Sequence, residues 1–249
     1  MARDGFIYGR HPVAELLRRS PQEVHRVYLA VSAQTGRLKD LVREAGRHGI
    51  QVVEVSRRSL GDMVGDVAHQ GVVAMVARFR YREVEDILGV AQQRDEAPLV
   101  VILDQVQDPH NLGSLIRSSF ALGAHGVIIP KDRACEVTPT VVKTSAGATA
   151  HLAVARVTNL RRTIEDLKQA GLWVFGMAAD GDRAAEDSDL AQPLALVIGS
   201  EGKGLRRLVA QACDVLIKIP MAGDLGSLNA SVAGGICLYE AARQRRLAG

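Results

Sequence analysis

The stretch IPMAGDLGSLNASVAGGICLYE, Ile219 to Glu240, decides the fold of this chain. It consists mainly of small, uncharged residues and has a proline near its start, which is typical of a loop. Gly223 and Gly226 allow backbone conformations that a residue with a Cβ atom resists. Ser227 and Asn229 both favour the position just before a helix. The pattern therefore predicts a tight loop that leads directly into a helix.

The helix predicted after Asn229 ends in an arginine cluster within residues 243–246, where cations are favourable because they face the helix C-terminus. Gly234 and Gly235 lie inside this helix, and each costs it about 1 kcal/mol relative to alanine. A helix that contains both glycines is expected to pack closely against another part of the backbone.

The composition suits an α/β protein, because 47% of the 249 residues are hydrophobic and only 4% are aromatic. The formal net charge of +3 argues only weakly for a nucleic-acid partner. No apolar run approaches the ~20 residues that a membrane span requires, and the N-terminus lacks the apolar core of a signal peptide. We therefore expect a cytoplasmic protein without membrane contact.

The order of the predicted elements divides the chain into two domains. Residues 1–77 alternate helix and strand as a compact αβαβαβ unit, and the charged segment 78–96 is expected to be a linker with one short helix. Residues 97–249 alternate apolar strands, such as PLVVILDQV and PLALVIGS, with helices. This alternation with short connections predicts a mostly parallel α/β sheet.

Two further loops follow apolar strands, which is where open α/β sheets bind their ligands. In the first, Asp108 to Arg117, Asn111 caps the helix if the helix begins near it, and Arg117 then lies about two turns further on. Asp108 is expected to cap or brace the turn rather than to bind a metal. By pattern alone, a functional pair and a capped helix with a surface arginine fit this loop equally well.

The second loop, Gly199 to Gly204, resembles a nucleotide loop but does not fit one. A Walker A loop requires Ser or Thr after Lys203, where Gly204 stands, and the glycine spacing is not G-x-G-x-x-G. Glu201 would also repel a phosphate group. The loop fits a neutral or cationic ligand, and the alternative is an ordinary strand–helix turn.

The chain resembles the SpoU/TrmH branch of the SPOUT methyltransferases in three segments that occur in order, LDQVQDPHNLGSLIRSSFALGAHGVIIP, LALVIGSEGKGL and IPMAGDLGSLNASVAGGICLYEAARQ. The resemblance covers residues 97–246. The start of the chain, IYGRHPVAELL, is similar to the L30e-like substrate-binding domain that precedes this catalytic domain in many members. The resemblance implies a SPOUT domain with a deep C-terminal trefoil knot, which is a rare exception to unknotted topology.

The same resemblance implies an enzyme of ribosomal RNA processing that transfers a methyl group from S-adenosylmethionine to a ribose 2′-hydroxyl. The implied substrate is a guanosine of the large-subunit (23S) RNA. The catalytic residues that it implies are Asn111, Arg117, Glu201, Ser227 and Asn229. The cofactor-binding residues that it implies are Gly199, Ile219 and Leu228.

The role of Arg117 has two interpretations within this family. It either activates the ribose hydroxyl, or it binds the adjacent phosphate and stabilises the developing alkoxide, which suits a guanidinium of pKa above ~12. The family also implies a homodimer, and the final helix is the expected interface. No residues have metal-ligand spacing, so no metal is expected. Arg206, Arg207 and the C-terminal arginine cluster either contact RNA phosphates or form solvated helix ends.

Three alternatives remain beside this hypothesis. A transfer-RNA ribose methyltransferase shares all three motifs, and a non-catalytic RNA-binding protein could keep the fold. A dinucleotide-dependent α/β enzyme is disfavoured because the glycine fingerprint is missing. The exact nucleotide, and whether free RNA or a ribosomal assembly intermediate is the substrate, are left open by the sequence.

Overall fold

The computed structural model describes residues 2–3, 5–31, 36–76, 79–223 and 226–248. The chain divides into two compact units, Met1–Arg80 and Tyr81–Gly249. Within the described ranges, no helix is long and apolar enough to cross a membrane.

Among its described residues, the first unit contains five strands and three helices. In chain order they are β1 (Ala2–Arg3), β2 (Phe6–Tyr8), α1 (Arg10–Arg19), β3 (Val24–Ala30), α2 (Gly36–Arg47), β4 (Gln51–Val55), α3 (Arg57–Val64) and β5 (Val72–Val76). The strands form one mixed sheet in the order β1-β2-β5-β3-β4, in which only β3 and β4 pair in parallel. The sequence predicted the three helices and the three longer strands, and the two short N-terminal strands are additional.

Alternating residues of β5 bury opposite faces of this first sheet. Val72 and Ala74 pack in one apolar cluster with Val13 and Leu17 of α1. Val73, between them, packs in a second cluster with α3. Because side chains alternate along a strand, both faces of the sheet are covered by helices.

The second unit contains seven strands and six helices among its described residues. In chain order they are α4 (Val84–Arg94), β6 (Leu99–Leu103), α5 (Pro109–Ala121), β7 (Gly126–Pro130), α6 (Pro139–Thr144), β8 (Ala153–Val157), α7 (Leu160–Gln169), β9 (Trp173–Met177), β10 (Arg183–Ala184), β11 (Leu194–Ile198), α8 (Arg207–Ala210), β12 (Val215–Lys218) and α9 (Ala230–Ala248). The strand order is β10-β12-β9-β11-β6-β7-β8, and every pairing is parallel. The prediction of a parallel α/β sheet is confirmed.

The central strands of this sheet are buried on both faces. Every residue of β6, β7 and β11 is buried. Their continuous apolar runs have no alternation because a parallel strand covered on both sides has no solvent face. The sheet therefore provides a rigid base whose carboxyl edge positions the loops.

The segment 78–96, predicted as a linker, is largely part of the second unit. It includes α4, whose Ile87 is fully buried in the apolar core beside Val100 and Ile128. Gly126 lies directly against this side chain, since a Cβ atom built on it would be 2.5 Å from Ile87 Cγ1. Because residues 78–96 include many charged side chains, the apolar face of α4 was not predicted from the sequence.

Helix α9 packs closely at only one of its two internal glycines. A Cβ atom on Gly234 would lie 2.5 Å from Leu115 Cδ2 and 2.7 Å from Ile198 Cδ1. Close packing is therefore confirmed at Gly234, but the predicted backbone partner is wrong, because the neighbours are side chains. At Gly235 the nearest atom is 3.9 Å away. Around Gly223, as around Gly226, no described atom lies within 4 Å of an added Cβ, so these two glycines are not sites of close chain crossing.

The C-terminal end of α9 is fixed at the amino edge of the sheet. The Arg245 guanidinium donates hydrogen bonds to the carbonyl oxygens of Ala97 and Pro98, before β6, and of Gln192, before β11. Of the two interpretations of the C-terminal arginine cluster, neither fits this arginine, which binds backbone carbonyl groups of its own unit.

His125 is a second buried polar group at this amino edge. Its Nδ1 accepts from the Leu99 amide at 3.0 Å, so Nε2 carries the proton and donates to Glu96 Oε2 at 3.0 Å. Burial lowers the pKa of His125, although the hydrogen bond to Glu96 acts in the opposite direction. Both ring nitrogens are therefore satisfied in the neutral form.

Candidate active site

A cavity of about 640 Å³ opens at the carboxyl edge of the second sheet. It is lined by the residues that follow the adjacent strands β9, β11 and β12, and by the start of α9. Its volume lies within the ~300–1,000 Å³ range of small-molecule sites, and its location is the one that open α/β sheets use. The cavity is the main candidate for a ligand site.

The loop Gly199 to Gly204 forms one wall of the cavity and closes on itself. Ser200 and Gly204 exchange backbone hydrogen bonds of 3.1 and 2.9 Å. A Cβ atom on Gly199 would overlap the backbone of Gly204, and Gly202 and Gly204 have positive φ angles of 77° and 63°. The three glycines are thus required by the turn itself, which presents backbone groups to the cavity.

Asp104 anchors the end of this loop. It is fully buried at the end of β6, and it accepts hydrogen bonds from Arg206 N at 2.8 Å and Arg206 Nε at 2.7 Å. Arg206 is consequently engaged in structure rather than displayed to a phosphate. Sequence reasoning missed Asp104, although an acidic residue directly after an apolar strand was a signal for it.

Helix α5 begins earlier than the sequence indicated. Asp108, not Asn111, caps it, because its carboxylate accepts from His110 N at 3.1 Å and Asn111 N at 3.4 Å. Pro109 then occupies the first helical position, where a missing N–H has no cost. The prediction of Asn111 as the cap is wrong, and as a result the Asn111 side chain is free for other contacts.

Three polar side chains from separate segments meet beside the cavity. Asn229 Nδ2 donates to Glu201 Oε2 and to Asn111 Oδ1, both at 3.0 Å. Asn111 Nδ2 also donates to Glu201 Oε2, at 3.4 Å. We call these three residues the amide–carboxylate network. Neutral amides do not cancel the charge of Glu201, so the network presents a negative group that favours a cationic ligand.

Asn229 also caps α9. Its Oδ1 accepts from Ser231 N at 2.9 Å, Ser231 Oγ at 2.7 Å and Val232 N at 3.4 Å. One side chain thus fixes the helix start with its oxygen and the network with its nitrogen. The predicted position of Asn229 before the helix is confirmed.

Arg117 and Ser227 are exposed and lie outside this network. Arg117 is on α5, six residues after Asn111, and has no hydrogen-bond or ion-pair partner among the residues that the structure describes. Ser227 lines the cavity. Arg117 is thus an unpaired cation on the helix that begins at the network.

The predicted cofactor residues meet in the cavity. Gly199, Ile219 and Leu228 all line it, together with Glu201. The turn after β9, which includes Asp180, also lines it, and sequence reasoning missed this part of the site. The position of this turn directly after an apolar strand could have indicated that it belongs to the site.

Comparison with known proteins identifies two families in the chain. Residues 98–239 match the SpoU rRNA Methylase family. The chain belongs to this family. Residues 6–82 match the RNA 2′-O ribose methyltransferase substrate binding family. The chain is therefore a SpoU-family RNA 2′-O-ribose methyltransferase that depends on S-adenosylmethionine.

Individual SpoU-family relatives extend over nearly the whole chain. YacO of Bacillus subtilis, assigned to the TrmH family of tRNA/rRNA methyltransferases, is 46% identical over 98% of this chain and 97% of its own length. The 23S rRNA (guanosine-2′-O-)-methyltransferase RlmB of Pseudomonas putida is 42% identical over 97% of each. The structure of the SpoU methyltransferase AviRb from Streptomyces viridochromogenes with AdoMet matches with a TM-score of 0.62, at 30% identity, over 98% of this chain and 91% of that one.

The cavity suits S-adenosylmethionine, the cofactor of this SpoU-family enzyme. Its lining combines apolar side chains, such as Ile219 and Leu228, with the backbone of the glycine turn and the carboxylate of Glu201. Apolar walls suit an adenine ring, and a carboxylate suits a sulfonium cation where it would repel a phosphate.

Proposed function

We propose that this enzyme methylates the 2′-hydroxyl of a guanosine in large-subunit (23S) ribosomal RNA. The observation that carries the proposal is the amide–carboxylate network, which joins the three family motifs beside the cavity. The match of residues 6–82 to a substrate-binding family and the 42% identity to the Pseudomonas RlmB over 97% of the chain favour ribosomal RNA.

The bound cofactor supplies an electrophilic methyl group on a sulfonium centre. Glu201 and its two amide partners orient the reacting groups, and Ser227 hydrogen-bonds the incoming ribose at the cavity. Holding the hydroxyl in line with the methyl group can supply several kcal/mol of rate enhancement. The hydroxyl proton is released to solvent.

Arg117 acts electrostatically in this mechanism. Its guanidinium remains protonated, because this group does not give up its proton in proteins. It binds the phosphate next to the target ribose and stabilises the negative charge that develops on the 2′-oxygen. Its freedom from protein partners among the described residues supports this role, since no existing bond has to be broken.

The cofactor is held by backbone groups around Gly199, with its adenine against Ile219 and Leu228. The start of α9 closes this site, because Ala230 and Ala233 also line the cavity. Residues 97–249 form the catalytic domain in this proposal, and residues 1–77 form an L30e-like domain that binds the RNA.

A deep trefoil knot in the second unit is part of the proposal. It is supported by β11, which lies inside the sheet between β9 and β6 although it comes later in the chain. It is also supported by the path after β12, which brings Asn229 to Glu201 before α9 packs at Gly234 against Leu115 of α5.

The enzyme is proposed to be a cytoplasmic homodimer that meets through α9. Val232, Ile236 and Tyr239 follow one face of this helix at spacings of four and three, and all three are exposed. Sedimentation at micromolar concentration should give a dimer for the native chain and a monomer for Ile236→Glu. Leu208→Glu, an equally exposed leucine on α8, is the control and should remain dimeric. A monomeric native chain would contradict the proposal.

The decisive experiment is transfer of radiolabelled methyl from S-adenosylmethionine to unmodified ribosomal RNA and to transfer RNA, followed by nucleoside analysis. We expect label in 2′-O-methylguanosine of the 23S RNA, and its loss with Arg117→Ala. Label in transfer RNA alone would overturn the substrate and keep the chemistry. Parallel assays with ribosomal assembly intermediates identify the form of RNA that is used.

A further inference from the structure

The cavity contains one carboxylate that the amide–carboxylate network does not use. Among the described lining residues, Asp180 and Glu201 are the two acidic groups. Glu201 is held by Asn111 and Asn229, whereas Asp180 is exposed and has no hydrogen-bond or ion-pair partner within the described ranges. An unpaired acceptor on the wall of a ligand cavity is available to bind a polar group of that ligand.

The backbone that carries Asp180 is rigidly fixed. Gly181 N donates to Ala178 O at 3.2 Å, which closes a turn with Asp180 in its centre. Hydrogen bonds of 2.9 Å join the turn to β12 on both sides, from Ala178 N and from Asp182 N. Gly181 is buried against that strand, and a Cβ atom there would lie 2.6 Å from the carbonyl carbon of Ile217. The position of Asp180 is therefore set before any ligand binds.

The two carboxylates lie toward different sides of the cavity. Glu201 is bonded to Asn111, which follows β6, whereas the turn of Asp180 lies against β12. In the sheet, β9 and β11 separate β12 from β6. In the mechanism proposed above, on which this inference rests, the methyl group points to the network and Arg117, so the β12 side remains for another part of the cofactor.

The β12 side of the cavity has the composition of a nucleoside pocket. Leu216 and Ile219 line it, are partly exposed, and offer apolar surface for a purine ring. The Asp180 turn lies beside this apolar surface, because Ala178 N and Asp182 N donate to Ile217 O and Leu216 O of the same strand. A carboxylate accepts hydrogen bonds through two oxygens, which suits two neighbouring hydroxyl groups.

We propose that Asp180 binds the two ribose hydroxyls of S-adenosylmethionine. In dinucleotide-binding sheets an acidic residue near the same carboxyl edge accepts from a ribose hydroxyl in the same manner. The product S-adenosylhomocysteine keeps these hydroxyls, so Asp180 holds cofactor and product alike. Its role is cofactor binding, separate from the chemistry at the network.

Calorimetric binding to three ligands tests this assignment without measuring catalysis. S-Adenosylhomocysteine should bind about tenfold more weakly to Asp180→Ala than to the native enzyme, as expected for hydrogen bonds to a charged group. Its 2′,3′-dideoxy analogue should bind both proteins equally, because it has no hydroxyls to lose. 5′-Methylthioadenosine, which keeps the ribose and lacks the amino-acid part, should show the same tenfold loss.

Asp182→Ala is the matched control, since Asp182 is an exposed carboxylate two residues away that does not line the cavity. It should bind all three ligands like the native enzyme. An equal loss for the dideoxy analogue in Asp180→Ala would overturn the proposal. The proposal would also be overturned if 5′-methylthioadenosine bound Asp180→Ala and the native enzyme equally, because Asp180 would then contact the α-ammonium group. Unchanged melting curves for both variants exclude a folding defect.

Discussion

The two edges of the seven-stranded sheet use polar side chains in opposite ways. At the amino edge, His125 is buried and Arg245 is half-buried, and the hydrogen bonds that they make go to groups of the protein itself. At the carboxyl edge, Arg117 and Asp180 are exposed and have no such partner among the described residues. Side chains that bond to the protein at one edge stabilise the fold, and side chains without such bonds at the other are available to ligands.

Helix α9 belongs to both edges. Its first turn is capped by Asn229, a member of the amide–carboxylate network. Near its end, Arg245 donates hydrogen bonds to carbonyl groups at the amino edge. A 19-residue helix is about 28 Å long, enough to reach from one edge of the sheet to the other. The comparison therefore predicts that substitutions at the carboxyl edge reduce activity and those at the amino edge reduce stability.

The largest effect is expected for Arg117→Ala. Loss of an electrostatic contact to the developing charge should lower kcat about 10²–10³-fold. The melting temperature should stay unchanged, because the side chain makes no polar contact with the described protein. Single-turnover methyl transfer and thermal melting measure the two quantities. Arg161→Ala, an exposed arginine on α7, is the control for activity. A large loss of stability in Arg117→Ala would break the comparison.

At the amino edge, Arg245→Ala should lower the free energy of unfolding of the second unit by about 1–2 kcal/mol, since it removes the hydrogen bonds of a charged donor to the partly buried carbonyl groups of Pro98 and Gln192. Trp173, the only tryptophan of the chain, begins β9 in this unit and reports its unfolding by fluorescence. Below the transition, binding of S-adenosylhomocysteine should be unchanged. Weaker binding of S-adenosylhomocysteine with unchanged stability would contradict the structural role that we assign to the amino edge.

Asn229 allows the two functions of α9 to be separated. Asn229→Ala should cost about 1 kcal/mol of stability through the lost helix cap, and it should also reduce methyl transfer. Asn229→Ser keeps a capping oxygen but has no amide to donate to Glu201 and Asn111. The serine variant should therefore recover the stability and not the activity. If serine restored both, the network would have no role in catalysis.

The smallest effect is a dependence of stability on pH through His125. Its folded-state pKa is below the ordinary value of 6.5, so the unfolded chain binds more protons and stability falls as the pH drops below about 6.5. One proton limits the slope to about 1.4 kcal/mol per pH unit. His125→Gln should flatten this slope in Trp173 fluorescence. His69, in the first unit, has a pKa lowered by burial too, so His69→Gln is the control and should leave the Trp173 slope unchanged.

The sequence predicted the features that depend on local pattern. The apolar strands gave the parallel sheet, and Asn229 was expected at the start of α9. The sequence-based predictions failed where the environment of a residue depends on a partner far along the chain. Asp104 and Arg206 are 102 residues apart, so neither segment reveals their pairing. Ile87 is buried because Gly126 leaves room for it, which the charged surroundings of α4 did not indicate.

The cap of α5 illustrates a different limit. Asp108 and Asn111 are both good capping residues, and Pro109 decides between them only if the helix is assumed to begin there. The network could not be read from the motifs, because it depends on Asn111 being released from the cap. Asp180 was missed because a contact far along the chain positions it, since Gly181 lies against Ile217.

The long sequence separations within the amide–carboxylate network have a consequence for folding kinetics. Its hydrogen bonds join residues that are 28, 90 and 118 positions apart. Such contacts close long loops, and their entropy cost is met only after the sheet has ordered its strands. The network is therefore among the last contacts to form in a refolding chain. Recovery of cofactor binding should lag behind recovery of Trp173 fluorescence. A species with a complete sheet, in which α9 has not yet packed, would be compact and inactive.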